Sequence, residues 1–291
     1  MDLLAIGVGL LAALSFAGAF VSQQHVAVRV PVEQGRGLRL FAQLARSPLW
    51  WAGALGDALG FAFQAVALAF GSVVLVQPVL VTAMVFALPL AAWWNGRRIH
   101  RADLVWALMV VAGLAVFTVV GDSTKGSVSD AVRPWLWPGL AFGLACAGLW
   151  LVGLVAKGAL KALVFGLLTG VVYGIIAPLT ELVVVHLDQA GLLALFRSWP
   201  LYALVVCVLV GTGFQQAAFH AGDLGASLPA SQVLEPVVAV TLGLWALDAR
   251  LATQGAGWIV LVAAALAMVA GTIQLARRAA TAQQAKSAGG R

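Results

Sequence analysis

The sequence predicts an all-α integral membrane protein with nine transmembrane helices, and three observations lead to this prediction. First, 62% of the 291 residues are hydrophobic, only 10% are charged, and the mean hydropathy is +1.00. Soluble domains of this length are not so apolar. Second, the Lys and Arg residues lie in segments between apolar stretches. Third, a segment of the first half recurs in the second half at a fixed spacing. We therefore expect an inverted repeat of four plus four helices with a linking fifth helix.

Nine apolar segments are close to the length of about 20 residues that a helix needs to cross a bilayer. They are Leu3–Val26, Pro48–Phe70, 73–94, Ala102–Val120, Leu136–Ala156, Ala162–Val185, Pro200–Ala221, 223–250 and Gly255–Leu275. The first segment has no basic residue before it, so we interpret it as a span and not as a signal peptide. The predicted divisions are 1–120 for the first repeat, 121–161 for the linker and fifth helix, 162–276 for the second repeat, and 277–291 for a basic tail.

The repeat is visible when residues 48–115 are placed beside residues 200–267 without gaps, which gives 16 identities in 68 positions. The matches include residues that are uncommon in this chain, such as Gln64 with Gln216 and Trp93 with Trp245. Five spans separate equivalent helices in the two copies. Because five is odd, the second copy is expected to lie upside down relative to the first, as in many transporters.

The distribution of charge predicts the orientation. With nine spans, 13 of the 17 Lys and Arg residues fall on one side of the membrane. The positive-inside rule then places the C-terminus in the cytoplasm and the N-terminus outside the cell membrane. The net charge of +6 is explained by these loops, so nucleic acid is not an expected partner. The expected partners are the lipid bilayer, a small-molecule or cation substrate and, in a homodimer, a second copy of the chain.

Three carboxylates lie inside predicted spans: Asp57, Glu181 and Glu235. An ionisable group in hydrocarbon is unfavourable, and its presence there indicates a functional site. A protonated, hydrogen-bonded structural acid is the alternative for each, and Glu181 could simply reach the outer interface. Asp57 and Glu235 lie at similar depths in their spans, near the midplane. If a divalent cation is carried, these two residues are the predicted ligands.

Other residues of the spans could line the same cavity or shape it. The polar candidates are Gln64, Gln77, Gln216, Ser231 and Gln232, for which ordinary packing hydrogen bonds are the alternative. The proline candidates, which remove a backbone donor and weaken or break a helix, are Pro78, Pro89, Pro178, Pro229 and Pro236. Gly166, Gly170 and Gly174 form a stripe of small residues on one helix face, which predicts close approach of another helix.

Enzymatic activity is not expected. The chain has no HExxH, GxSxG, P-loop or GxGD motif, and we expect no cofactor. Cys146 and Cys207 lie in separate spans without the spacing of a metal or redox site, and we interpret them as packing residues.

The segment LEPVVAVTLGLWALDARL, with the pair Glu235-Pro236, resembles the EamA-type repeat of the drug/metabolite transporter superfamily. Its ending, Asp248 to Leu251, follows the acidic-Arg-Leu pattern of that repeat with one inserted Ala. Most members have ten spans, and the nine predicted here are similar to the NIPA branch, whose members are described as magnesium transporters with an outside N-terminus. The segment from Trp50 to Val79 is similar to the second and third spans of that branch, which has Glu at the position of Asp57.

From the residues and this resemblance together we expect a secondary transporter that works by alternating access and is coupled to protons or ions. A transporter or channel for Mg²⁺ or another divalent cation is the alternative that the NIPA-like features imply. A membrane scaffold without transport activity is the third reading.

Overall fold

The computed structural model describes residues 2–31, 37–70, 76, 79–96, 99–120, 123–124, 133–222, 224–246, 250–251 and 257–289. In these ranges the chain is helical apart from loops and two strands of two residues each. The helices are α1 (Asp2–Ala27), α2 (Gly37–Leu44), α3 (Pro48–Phe70), α4 (Ala83–Trp94), α5 (Arg101–Val120), α6 (Arg133–Val155), α7 (Gly158–Leu195), α8 (Trp199–Ala221), α9 (Leu224–Ala246) and α10 (Gly257–Gly289). The strands are β1 (Ser123–Thr124) and β2 (Arg250–Leu251).

The prediction of an all-helical, multi-pass membrane protein is confirmed. Six described helices are long and apolar enough to cross a bilayer. They cover Leu3–Ala27, Pro134–Val155, Gly158–Leu187, Trp199–Ala221, Leu224–Trp245 and Gly257–Ala279. At the positions of the other three predicted spans lie α3, α5 and the shorter apolar helix Val79–Trp94.

Helices α1 and α3 pack closely because three glycines of α3 face α1. A methyl group added at Gly53 would lie 2.6 Å from Ser22 Oγ, and one at Gly60 would lie 2.6 Å from the Phe16 ring. Gly56 between them faces Ala19. The residue numbers of the contacts decrease along α1 as they increase along α3. The two helices therefore run antiparallel.

Helices α7 and α9 meet along the glycine stripe that the sequence singled out. Methyl groups added at Gly166, Gly170 and Gly174 would lie 2.5, 2.7 and 2.5 Å from the carbonyl oxygens of Ser227, Ser231 and Glu235 respectively. The stripe therefore lets two backbones touch. Here the residue numbers of the contacts increase together along both helices, so α7 and α9 run parallel. Gly191, with φ of 78°, marks a kink near the end of α7.

A third pair, α5 and α10, is antiparallel. Gly113 of α5 faces Ala264 and Met268 of α10, while Gly271 of α10 faces Trp106 and Val110 of α5. The pair is also joined at its two ends. Arg278 Nε donates to Asp103 Oδ1 at one end, and β1 pairs antiparallel with β2 at the other.

The prolines that were predicted to interrupt helices fall in two groups. Pro89, Pro178, Pro229 and Pro236 lie inside α4, α7 and α9, which continue through them. Each therefore removes a backbone donor from a helix that is otherwise continuous. Pro78 and its neighbour Gln77 lie outside the described residues.

Candidate functional site

The Asp57 carboxylate is half-buried on α3, and its hydrogen-bond partner comes from α1. Gln23 Nε2 donates to Asp57 Oδ2 at 2.5 Å. Gln23 itself is 3% exposed, so this amide and carboxylate meet in the interior of the protein. Hydrogen bonds that end on a charged acceptor are roughly twice as strong as neutral ones, and Gln23 is thus well placed to hold a carboxylate.

The contact continues from Gln23 to α8. Gln216 Nε2 donates to Gln23 Oε1 at 2.5 Å, and Trp50 Nε1 donates to Gln216 Oε1 at 3.4 Å. Gln216 is 1% exposed. These four residues, Trp50, Gln216, Gln23 and Asp57, form what we call the amide chain. It starts on α3, passes to α8 and then to α1, and ends on α3 again. The amide chain therefore joins the first half of the sequence to the second.

The direction of the amide chain is fixed by chemistry at both of its ends. An indole N–H can only donate, so Gln216 must accept from Trp50 with its oxygen and donate with its nitrogen. The same reasoning then makes Gln23 accept from Gln216 and donate to Asp57. Every donor in the chain therefore points toward the Asp57 carboxylate, which as an anion can only accept.

Tyr173 of α7 forms a hydrogen bond to Gln215, the residue of α8 that precedes Gln216 of the amide chain. The hydroxyl of Tyr173 donates to Gln215 Oε1 at 3.2 Å and is also within hydrogen-bonding reach of Thr212. Tyr173 interacts electrostatically with Asp57 and with Glu235. Its ring lies against Gly211, where an added methyl group would be 2.5 Å from the ring. Tyr173 is thus the side chain on which both mid-helix carboxylates act.

Glu235 lies in the middle of α9 and is half-buried. Its backbone carbonyl faces Gly174 of the α7 stripe. Within the described part of the chain, no side chain or backbone group forms a hydrogen bond with its carboxylate. Pro236 follows directly and lacks the N–H that would bond the carbonyl of Gln232, which adds an acceptor to this part of α9. The Glu235 carboxylate is therefore free to bind a proton or a ligand.

The structure brings some of the predicted site residues together and leaves others apart. Asp57 and Gln216 belong to the amide chain, and Asp57 and Glu235 both interact electrostatically with Tyr173. Ser231 is buried one turn before Glu235, but its hydroxyl donates to Leu228 O of its own helix. Gln232 is half-buried beside it, and Gln64 is half-buried two turns from Asp57 on α3. Glu181 lies in α7, but its side chain is outside the described part of the structure, as is the whole of Gln77.

Sequence reasoning missed three members of the site: Gln23, Trp50 and Tyr173. A signal for Gln23 was present, because Ser22, Gln23, Gln24 and His25 form a polar run within the last turns of an otherwise apolar helix. Apolar spans carry such a run only where other groups satisfy it. Tyr173 had no comparable signal, since a single tyrosine beside a glycine stripe suits packing equally well.

Two further polar contacts tie α1 to the end of α8. Gln24 Nε2 donates to the carbonyl oxygen of Gly222 at 2.9 Å, and His220 Nε2 lies 2.9 Å from Val30 O. Gln24 is 6% exposed. Together with the amide chain, these contacts make the α1–α8 junction a polar interior contact between the two halves.

The described residues contain no group of three or more His, Cys, Asp or Glu side chains that could hold a metal ion. The oxygen-bearing side chains of the candidate site are instead two carboxylates and the amides of Gln23, Gln215 and Gln216. This is a polar set suited to a proton, to a cationic or hydrogen-bonding ligand, or to a cation that keeps some of its water.

Comparison with known proteins gives one informative match. An uncharacterized protein of Corynebacterium glutamicum is 34% identical over 277 residues, which is 95% of this chain and 96% of the relative. The chain belongs to the same family as that protein. Since the similarity extends over nearly all of both chains, the family shares both halves of the molecule and not a single segment. No family model matches the chain, and no solved structure matches it either.

Proposed function

We propose that this protein is a secondary transporter of the drug/metabolite transporter type, which moves a small molecule across the cell membrane by alternating access. The observation that carries the proposal is the pair of half-buried carboxylates, Asp57 inside α3 and Glu235 inside α9, which lie in helices of the two halves of the chain. Ionisable groups inside a bundle commonly mark the path of a substrate or coupling ion. A scaffold has no need of them.

The proposed architecture is nine spans in an inverted repeat, with the N-terminus outside. Two helix contacts support it. The parallel contact of α7 with α9 is that of spans six and eight, which must run in the same direction. The antiparallel contact of α5 with α10 is that of spans four and nine, which must run in opposite directions. These directions follow from nine crossings in order and would change if a span between the partners were removed.

The proposed mechanism uses the difference between the two acids. Asp57 is held by Gln23 and is positioned to receive a ligand. Glu235 has no hydrogen-bond partner in the described region, so a proton or coupling cation at Glu235 meets little competition. Neutralising the acids in turn lets the halves rearrange around the site, because a charge left in a closed, dry cavity is costly. The free energy of the proton or cation gradient then drives the substrate across the membrane.

The experiment that tests transport begins with a thermal-shift screen on the purified protein, using amines, amino acids, other metabolites and Mg²⁺. Each compound that raises Tm is then measured for uptake into proteoliposomes with an imposed pH gradient. A transporter accumulates at least one hit, and the Asp57→Asn/Glu235→Gln variant does not. Folded wild-type protein that binds but never translocates any hit would support the scaffold reading.

The alternative is a transporter for divalent cations, and the same screen separates it from the first proposal. Mg²⁺ prefers several oxygen ligands and retains water, which two carboxylates and neighbouring amides could satisfy. In that case Mg²⁺ itself raises Tm, its uptake saturates, and the double variant loses the Tm shift. The organic compounds of the screen should then have no effect on Tm.

Topology is tested separately with reporters. A reporter fused after Arg278 should be cytoplasmic, and one fused before Asp2 should be external. The reasons are the 13-to-4 division of positive residues and the odd number of spans. Two ends on the same side would contradict the nine-span arrangement and the inverted repeat with it.

A further inference from the structure

The amide chain has a feature that a static packing contact does not require. It begins at a donor that cannot accept, the Trp50 indole, and it ends at the Asp57 carboxyl. As an anion this group only accepts, and when it takes up a proton it becomes a weaker acceptor and gains a donor of its own. The two intermediate amides, Gln23 and Gln216, are both almost fully buried. In such surroundings a hydrogen bond is strong when satisfied and costly when broken.

The chain also lies at a contact between the halves. Gln23 belongs to α1 and Gln216 to α8, so the bond between their amides joins the two halves directly. Close to it, Phe20 of α1 packs against Phe219 of α8, with ring centroids 6.3 Å apart. Anything that weakens the bond from Gln23 to Asp57 therefore acts on the contact between α1 and α8.

We propose that Gln23 is a positioning residue that transmits the charge of Asp57 to α8. While Asp57 is a carboxylate, the amide chain fastens α1 and α3 to α8. When a proton or a bound cation neutralises Asp57, the terminal acceptor weakens, and the contact between α1 and α8 opens more readily. That this opening is a step of alternating access rests on the proposed function, whereas the role of Gln23 does not.

The other titratable groups of the surrounding helices occupy different positions. Tyr173 on α7 and Glu235 on α9 interact with each other electrostatically, and Tyr173 also interacts with Asp57. His25 of α1 lies against the Trp94 ring, and His220 of α8 contacts Val30 O. None of the four is a member of the amide chain. Asp57 is therefore neutralised in the test by substitution with Asn at a fixed pH, so that the solution pH is the same for every variant.

The test measures opening through a buried cysteine. Val21 of α1 is 1% exposed and lies in the same core cluster as Phe219 of α8 and Leu228 of α9. The reporter chain carries Val21→Cys together with Cys146→Ala and Cys207→Ala. Maleimide labelling of this thiol in detergent, without substrate, reports how often the core opens. Leu242→Cys, 1% exposed in a separate cluster of α7 and α9, serves as the control reporter.

Asp57→Asn and Gln23→Met should each raise the labelling rate at Val21→Cys about fivefold, the change that one net hydrogen bond makes in an opening equilibrium. The double variant should label no faster than Gln23→Met alone, because the first break already disconnects Asp57 from α8. Labelling at Leu242→Cys should stay unchanged in all of them.

The matched control is Gln24→Met. Gln24 is the neighbouring amide on α1, is equally buried and also bonds to α8, but through the Gly222 carbonyl and without contact to Asp57. In the double variant of Gln24→Met with Asp57→Asn, the fold-change in labelling rate should equal the product of the two single fold-changes. If the double variant of Gln23→Met with Asp57→Asn also gives the product of its single fold-changes, the proposed transmission is wrong.

Gln216→Met provides the same test from the other end of the chain and keeps it decisive if Gln23→Met does not fold. In the double variant with Asp57→Asn, the labelling rate should rise less than the product of the two single fold-changes, although Gln216 and Asp57 are connected only through Gln23. Independent effects for this pair would also overturn the proposal. Because labelling needs no substrate, a failure of uptake together with this coupling would count against the transport proposal and leave the role of Gln23 standing.

Discussion

The α1–α3 pair and the α7–α9 pair solve the same packing problem in different ways. Each pair is brought together by three glycines and each has an acidic residue close to the contact. In α1–α3 the glycines face mostly side chains, and the acid, Asp57, is held by the partner helix through Gln23. In α7–α9 the glycines face carbonyl oxygens, and the acid, Glu235, has no hydrogen bond to any described residue.

This difference teaches that similar positions in the middle of a helix do not make two acids equivalent. A contact made of side chains can include an amide that satisfies the acid, whereas a contact between two backbones has no room for one. The α7–α9 pair consequently leaves its carboxylate available, whereas the α1–α3 pair keeps its carboxylate engaged. Four predictions test this comparison.

The largest effect is expected at the backbone contact. Gly170→Leu would force a side chain into Ser231 O and Leu234 Cβ, which lie 2.7 and 2.9 Å from an added methyl group. We expect loss of folded protein in size-exclusion chromatography. The control is Gly143→Leu in α6, where an added methyl group meets nothing within 4 Å among the described residues. Equal yields from both variants would show that α7 and α9 do not pack in this way.

The second prediction separates the two acids by function. Glu235→Gln should keep substrate binding and exchange between equal pools but lose gradient-driven accumulation in proteoliposomes, because its neutral form is fixed. Asp57→Asn should instead weaken substrate binding in the thermal-shift assay, because the carboxylate that the amide chain orients is gone. Identical losses in the two variants would contradict the division of roles. Undiminished coupled uptake by Glu235→Gln would refute the proposed role of Glu235 in coupling.

The third prediction compares single methyl groups. At Gly174 the added carbon would lie 2.5 Å from Glu235 O, and overpacking of this kind costs roughly 1–3 kcal/mol. At Gly56 it would lie 3.3 Å from Ala19 Cβ, and the higher helix propensity of Ala, worth about 0.5–1 kcal/mol, offsets the tighter contact. Thermal unfolding should therefore show a clear loss for Gly174→Ala and almost none for Gly56→Ala. The reverse order would mean that the α1–α3 contact is the stiffer one.

The smallest effect is expected from Trp50→Phe. This change removes the first donor of the amide chain, whose bond to Gln216 is long at 3.4 Å, so the loss should be below about 1 kcal/mol. Trp51→Phe is the control, since Trp51 Nε1 bonds to Ala45 O at the exposed start of α3. The two variants should have similar Tm values. Only Trp50→Phe should raise maleimide labelling at Val21→Cys, and equal labelling would place Trp50 outside the chain.

Particular residues show how far the sequence could be interpreted. The glycines at 166, 170 and 174 were evident because their spacing of four places them on one helix face whatever that face meets. Asp57 and Glu235 stood out because charge is rare in apolar spans. In contrast, Gly53, Gly56 and Gly60 have a less regular spacing and were not noticed, although they form the α1–α3 contact. Gln23 was overlooked because its importance depends on a partner 193 positions away.

By itself the sequence determined that this is a helical, multi-pass membrane protein with rare acids inside its apolar segments. Hydrophobicity, chain length and the cost of buried charge act locally, so they can be read residue by residue. Only the tertiary structure decided that Gln23, Gln216 and Trp50 form a chain of hydrogen bonds that ends on Asp57 and that Tyr173 bonds to Gln215. Those contacts join helices far apart in the chain, and the direction of a hydrogen bond exists only once donor and acceptor have been brought together.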